Sequence, residues 1–235
     1  MQQTSRFDET SMRLGGDFMH NSVAGSLLIA YRRAMAIEHK LPAQLIQMQG
    51  MSGRKYRYFI NNFVSLLPDP RYLEVGSWAG STACAAMYGN RLELTCIDNW
   101  SEFGGPKEQF LHNIEATKNP TVNFRFVESD FRNVDFSQIG KFNIYLFDGP
   151  HTELDQYEGI KLAQNALEDI FTLIVDDWNW QQVRQGTMRA IRECDLKVHC
   201  YLEIRTTQNN DTPILKYEKS EWHNGYFIAL CSKIK

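Results

Sequence analysis

The sequence has no apolar run long enough to cross a bilayer. Its longest, such as residues 170–175, fall far short of the roughly 20 residues a membrane helix needs. The first twenty residues mix polar and charged side chains and lack the apolar centre of a secretion signal. A basic excess is also missing. Lys and Arg number 25 against 28 Asp and Glu, a net charge of −3, which argues against a protein built mainly to coat nucleic acid. Cysteine is sparse and unpatterned: Cys84, Cys96, Cys194, Cys200 and Cys231 are odd in number and form no CxxC pair. That spacing excludes a zinc ribbon and leaves reduced, buried thiols in a cytoplasmic protein as the expectation. No internal repeat or low-complexity tract is present. What remains is a 235-residue chain of globular composition, 43% hydrophobic and 23% charged, suited to one large domain or one domain plus an appendage.

Residues 1–20 read as a loose or partner-dependent arm. Over 22–40, Val23, Leu27, Leu28, Tyr31, Ala34 and Met35 share one broad helical face, with Leu41-Pro42 as the stop. A second helix is expected over 53–67, ended by Pro68 and Pro70. Strands and helices then alternate. Strands at 72–76, 92–98, 122–127, 142–148 and 171–176 are each followed by a helix or helical turn, and strands at 197–204 and 225–231 close the chain with no helix between them. The runs LTCI, IYLF and FTLIV are continuously apolar, as parallel strands covered on both faces should be. The expected fold is a doubly wound seven-stranded α/β sheet with an antiparallel last strand and an N-terminal helical addition. The division expected is 1–50 for the helical arm and 51–235 for the main domain.

In such sheets ligands bind at the carboxyl ends of the strands. The first strand of the main domain ends in EVGSWAGST, residues 74–82. Gly76 and Gly80 flank a tight turn in the pattern E-x-G-x-x-x-G, which is neither the dinucleotide GxGxxG nor a Walker A loop, for which the lysine is missing. The second strand ends in Asp98, an acid suited to ribose hydroxyls or to a plain turn. The third leads to Ser129-Asp130, where Asp130 suits an adenine amino group or the N-cap of the next turn. Ligand-type residues at three successive strand ends make a stronger signal than any one of them.

This constellation resembles the class I S-adenosylmethionine (SAM)-dependent methyltransferases over residues 51–235. RYLEVGSWAGST looks like their first motif, TCIDNW their second, FVESDF their third and IYLFDGPH their fourth. The resemblance implies SAM as cofactor. It places Gly76 at the methionine part, Asp98 at the ribose, Ser129 and Asp130 at the adenine, and Asp148 beside the methyl group, with Glu74, Ser77, Gly80, Ser81, Asn99 and Trp100 as further cofactor-binding residues. Met51-Ser52 resembles a segment that closes over the SAM amino-acid end in small-molecule members.

Asp148 ends the fourth strand in DGPH, and Asp176-Asp177 end the fifth, with 27 residues between Asp148 and Asp176. These strands are neighbours in the expected order, so three carboxylates converge. Unpaired they repel one another, and a hard divalent cation such as Mg²⁺ resolves the repulsion. The spacing resembles metal-dependent O-methyltransferases of the catechol and antibiotic-sugar types. The Asp–Asp pair is closer to the sugar type, because catechol members commonly carry Asn where Asp177 stands. His151 matches the histidine base of the mycinamicin-type enzymes, whereas Pro150 departs from the aminocoumarin type, which has a carboxylate there. The resemblance therefore implies Asp148, Asp176 and Asp177 as metal ligands and His151, with Asp148, as the catalytic pair. An imidazole with an ordinary pKa near 6.5 suits a base. A helix-capping or plain loop role for His151 stays open at this point.

Residues 100–106 (WSEFGGP) are a candidate lid, residues 205–223 a candidate acceptor wall, and Tyr31-Arg32-Arg33 a candidate pocket cap or subunit contact. The leading expectation is methyl transfer from SAM to a hydroxyl of a small molecule, a sugar or natural-product intermediate, with a divalent metal. Nucleic-acid and membrane partners are not expected, and a homo-oligomer through the N-terminal helices is. The alternatives are a metal-independent SAM methyltransferase acting on O or N, and a vestigial SAM-fold binding or assembly protein.

Overall fold

The computed structural model describes residues 10–234. Eight strands form one sheet among them: β1 (Ser11–Gly16), β2 (Arg71–Val75), β3 (Leu92–Asp98), β4 (Val122–Glu128), β5 (Phe142–Phe147), β6 (Leu167–Val175), β7 (Leu196–Arg205) and β8 (Tyr226–Lys233). Their order is β1-β7-β8-β6-β5-β2-β3-β4. The strands from β2 to β6 are parallel, whereas β8 runs antiparallel to both β6 and β7. Strand order reverses between β2 and β5, which opens a crevice at their carboxyl ends.

Helices cover both faces. α1 (Ser22–Met35), α2 (Ala43–Ile46), α3 (Arg54–Leu66), α4 (Ser81–Met87) and α5 (Lys107–Thr117) are followed by α6 (Glu153–Ala163) and α7 (Gln181–Glu193). Side-chain alternation splits the core in two. Tyr72, Ile144 and Leu146 join the cluster under α1, α3, α4 and α5, while Leu73, Val75, Tyr145 and Phe147 join the one under α6 and α7. β2 and β5 are buried along nearly their whole length because both faces are covered.

Two departures from the sequence reading are local. The segment read as a loose arm contains β1, an edge strand antiparallel to β7, so the sheet has an eighth strand. Its SMRLGG sequence is half-exposed and carries little apolar signal. Gly16 closes it at φ +84°, where a Cβ would stand 2.2 Å from the His199 carbonyl oxygen. The first helix was expected to reach Lys40 but stops at Met35. Ile37 is left-handed at φ 60°, which ends the ladder before Pro42 is reached. Among the described residues no helix is long and apolar enough to cross a membrane.

Candidate active site

The carboxyl ends of β2, β3, β5 and β6 enclose a cavity of about 280 Å³. The turn after β2 shapes its floor. Gly76 sits at φ +86°, and a Cβ there would lie 1.9 Å from the Asp148 carbonyl oxygen, so only glycine lets β2 and β5 exit side by side. Gly80, at φ +81°, caps α4 and faces Phe110 rather than the cavity. Asp98 holds this turn: its Oδ2 accepts from the backbone N–H of Ser77 and of Trp78, each at 2.8 Å, and its Oδ1 accepts from Trp100 N at 2.7 Å. Three of its roughly four acceptor directions thus serve the backbone.

Met51, Gly76, Ser77, Ser81, Asp98, Asn99, Ser129, Asp130, Asp148, His151, Asp176 and Asp177 all line the cavity, so most of the residues singled out in the sequence meet in one place. Asp130 also caps the turn that follows β4, accepting from Arg132 N at 2.9 Å. Four others lie behind the wall: Ser52, Glu74, Gly80 and Trp100. Ser52 Oγ is 3.1 Å from Ser81 Oγ. Glu74 is fully buried; Tyr72 Oη donates to its Oε2 at 2.7 Å, and Oε1 has no partner among the described residues. Burial pushes its carboxyl up to about 7, against the hydrogen bond from Tyr72 and the nearby Ser77 hydroxyl, which favour the anion. Trp100 was expected among the cofactor-binding residues. Instead its ring turns inward onto Phe110 and Phe126, and its Nε1 donates to the Trp78 carbonyl. The rest of that loop, Ser101 to Phe103, does reach the cavity.

At the far end, Asp148 leaves β5 while Asp176 and Asp177 leave β6. One donor atom each from Asp148, His151 and Asp177 falls within 4.8 Å of the other two. His151 Nε2 lies 2.5 Å from Asp177 Oδ2 and 4.0 Å from Asp148 Oδ1. The tightest trio therefore includes His151 where the sequence reading placed Asp176. Asp176 stands just behind, its Oδ1 accepting from Asp177 N at 2.7 Å. Burial, then the nearby Asp176, Asp177 and Glu74, push the Asp148 carboxyl well above the usual range; burial and Asp177 do the same to Asp176. Burial also penalises the Asp177 anion, but contact with His151, the proximity of His223 and the hydrogen bond from Asn224 outweigh it and hold this carboxyl low. The complementary effect at His151 overrides its own burial and raises the imidazole above its usual value. His151 is not spent as a helix cap: Thr152 caps α6, in a reciprocal box with Asp155.

The donor set fits a divalent cation. Two carboxylates and an imidazole converge on one point, and two of the three local carboxyls resist ionising without a counter-charge.

Segment 205–223, the expected acceptor wall, contributes Thr212, Lys216, Tyr217 and His223 to the lining. Asn179 ties it to β6. Its Nδ2 donates to Thr206 Oγ1 at 2.8 Å and Asn224 Oδ1 at 3.0 Å, and its Oδ1 accepts from Thr206 N and Thr207 N. Asn224 in turn donates to Asp177 Oδ1 at 2.5 Å. Tyr31 does not reach the cavity; its hydroxyl meets Met12 Sδ. Sequence reasoning left His223 without a role and did not consider Asn224 at all. Both come back to the site only because the strap before β8 folds over it. The WHNG cluster at 222–225 was the signal available.

With this geometry in view, residues 73–178 match the family model described as a methyltransferase domain. This segment is thus similar to a methyltransferase domain. It spans the glycine turn, Asp98, Asp130, Asp148, His151 and the Asp176-Asp177 pair. Solved structures share the fold of the SAM-dependent class at low identity. The S-adenosylhomocysteine (SAH)-bound methyltransferase PaMTH1 from Podospora anserina is 12% identical, with a TM-score of 0.52 over 89% of this chain and 88% of that one. A protein described provisionally as an RNA methyltransferase from Pyrococcus horikoshii is 12% identical, with a TM-score of 0.51 over 92% and 100%. TrmN from Thermus thermophilus is 11% identical, with a TM-score of 0.51 over 81% of this chain; the chain spans about half of its length, 52%. No curated protein matches in sequence. Outside the matched segment lie β1 and α1 to α3 before it and α7, β7 and β8 after it.

Proposed function

We propose that the protein transfers the methyl group of SAM to a hydroxyl of a small molecule, a sugar or a natural-product intermediate, with a divalent cation at the end of β5 and β6. The observation that carries this reading is the convergence of Asp148, His151 and Asp177 within 4.8 Å, beside the glycine turn in the same cavity. Asp148 and Asp177, with Asp176 behind them, would hold the cation, which when bound acts as a Lewis acid on the acceptor hydroxyl. The chain's own residues do the rest. Gly76 and Ser77 let the cofactor approach the backbone. Asp98 fixes the turn that receives it, and Asp130 and Ser129 flank the adenine side. The segment from Thr212 to Tyr217 borders the acceptor. His151 takes the hydroxyl proton as the C–O bond forms and the C–S bond breaks, releasing SAH.

A concave cavity of this size and the absence of a basic excess favour a small acceptor over RNA. One observation supports a metal-free variant of the same reaction. The close His151–Asp177 contact forms a dyad in which the carboxylate raises the basicity of the imidazole and stabilises the imidazolium that forms when it takes the proton. A methyl-acceptor screen with labelled SAM separates these readings, using hydroxylated small molecules and structured RNA, each with Mg²⁺ or with EDTA. Label in a small-molecule ether, lost on chelation, is the expected result. Label in RNA alone would refute the acceptor class, and EDTA-resistant turnover would leave the dyad reading.

A further inference from the structure

Arg57, in the first turn of α3, is fully buried, yet no carboxylate lies within ion-pair distance among the described residues. Burial lowers its guanidinium to about 10, so the group remains a cation near neutral pH. Its donors point at a single stretch of chain. Nη1 donates to the carbonyls of Leu45 (3.0 Å), Ile46 (3.1 Å) and Met48 (2.7 Å). Nη2 donates to those of Gly50 (3.4 Å) and Ser52 (3.2 Å), and Nε donates to Ser52 Oγ at 3.0 Å. After Ile46 this stretch has no regular structure of its own, so its carbonyls depend on the side chain that gathers them. A buried charge of this kind is expensive, and an apolar residue would serve better if α3 needed only packing.

The gathered stretch contributes Met51 to the wall of the cavity. Its Ser52 Oγ touches Ser81 Oγ, which lines the cavity at the start of α4. Gly50 passes so near that a Cβ there would lie 2.0 Å from Ser81 Oγ. A hydrogen-bonded chain therefore runs from the cavity through Ser81 and Ser52 to Arg57.

We infer that Arg57 is a positioning residue for the cofactor: it holds residues 45–52 in the shape that receives SAM, without touching SAM. The inference rests on the proposed use of this cavity for SAM. Lysine at position 57 keeps the charge but not the planar fork, so it cannot satisfy the same set of carbonyls.

The test uses the full chain carrying Arg57→Lys, and separately Ser52→Ala, with SAM itself as the probe. Isothermal titration gives the SAM dissociation constant, thermal melting reports folding, and hydrogen–deuterium exchange reports residues 47–52. A folded Arg57→Lys protein should bind SAM at least tenfold more weakly, and Ser52→Ala about threefold to tenfold more weakly. Exchange at 47–52 should rise in both variants. Once an acceptor is known, KM for SAM should rise while kcat at saturating SAM stays within about twofold. Folded variants that bind SAM within twofold of the wild type overturn the inference, and so does unchanged exchange at 47–52. If Arg57→Lys does not fold, Ser52→Ala decides. A wild-type protein that binds neither SAM nor SAH sinks the proposed function instead, and the exchange data then still show whether Arg57 shapes the wall.

Discussion

His151 Nε2 stands 2.5 Å from Asp177 Oδ2, a contact between the β5–α6 loop and the turn that follows β6. It joins the segments that follow two neighbouring strands, and both residues line the cavity. Loss of His151 should therefore be a defect of chemistry and not of cofactor binding. His151→Ala is expected to lower kcat by about 10²–10⁴, the usual contribution of a positioned base. Its SAM dissociation constant should stay within a few-fold of the wild type. Steady-state kinetics and SAM titration check the two parts, and near-normal kcat would remove His151 from the mechanism.

Chelation gives a second outcome. Dialysis against EDTA should reduce turnover by at least tenfold, and Mg²⁺ or Mn²⁺ should restore it. Asp148→Asn, which removes one of the converging donors, should not be restored. Turnover indifferent to EDTA argues for the metal-free dyad.

Gly76 allows a sharp steric test. Alanine there must accept φ +86° and push the Asp148 carbonyl away from a 1.9 Å clash. The left-handed backbone alone costs about 1–2 kcal/mol. Gly76→Ala should lose at least that much stability in chemical denaturation and most of its SAM affinity, because Asp148 moves with the clash. A fully stable variant that binds SAM normally would contradict the role assigned to the turn.

Glu74 predicts a pH dependence of stability. Its folded value of about 7 lies above the ordinary 4.5, so the folded state holds a proton that the unfolded chain releases. The sign follows: the contribution to stability is full below pH 4.5, falls as pH rises toward 7, and is gone above it. By linkage this is on the order of 3 kcal/mol for a fully buried group. Glu74→Gln removes the titration. Its stability relative to the wild type should therefore rise between pH 4.5 and 8, as read from denaturation midpoints at both pH values. A difference that does not change with pH would rule this out.

Asn179 should be costly to lose. Its amide is fully buried and makes four hydrogen bonds to Thr206, Thr207 and Asn224. Asn179→Ala leaves those groups unpaired, for an expected loss of about 2–4 kcal/mol, measurable by urea denaturation. Asn179→Asp tests the amide itself, since a carboxylate cannot donate to Asn224.

The parallel core of the sheet was legible because strands buried on both faces must be apolar throughout, as LTCI, IYLF and FTLIV are. The cavity was legible because its residues sit at strand ends, where chain position fixes spatial position. β1 escaped notice because an edge strand needs only half its side chains buried, and SMRLGG carries few apolar ones. Trp100 was misplaced for a different reason. An aromatic residue beside a ribose acid and one beside Phe110 and Phe126 look identical until β4 is brought alongside. Asn224 and Arg57 act through contacts with segments remote or irregular in sequence, where no periodicity announces them.

The Asn179 knot also constrains redesign of acceptor choice. Thr206, Thr207 and Asn224 bracket the strap, and Asn224 is the residue that grips Asp177. An exchange of residues 208–219 between these anchors alters what the pocket admits and leaves the charged centre in register. A graft that takes the anchors along replaces the hinge pin together with the door.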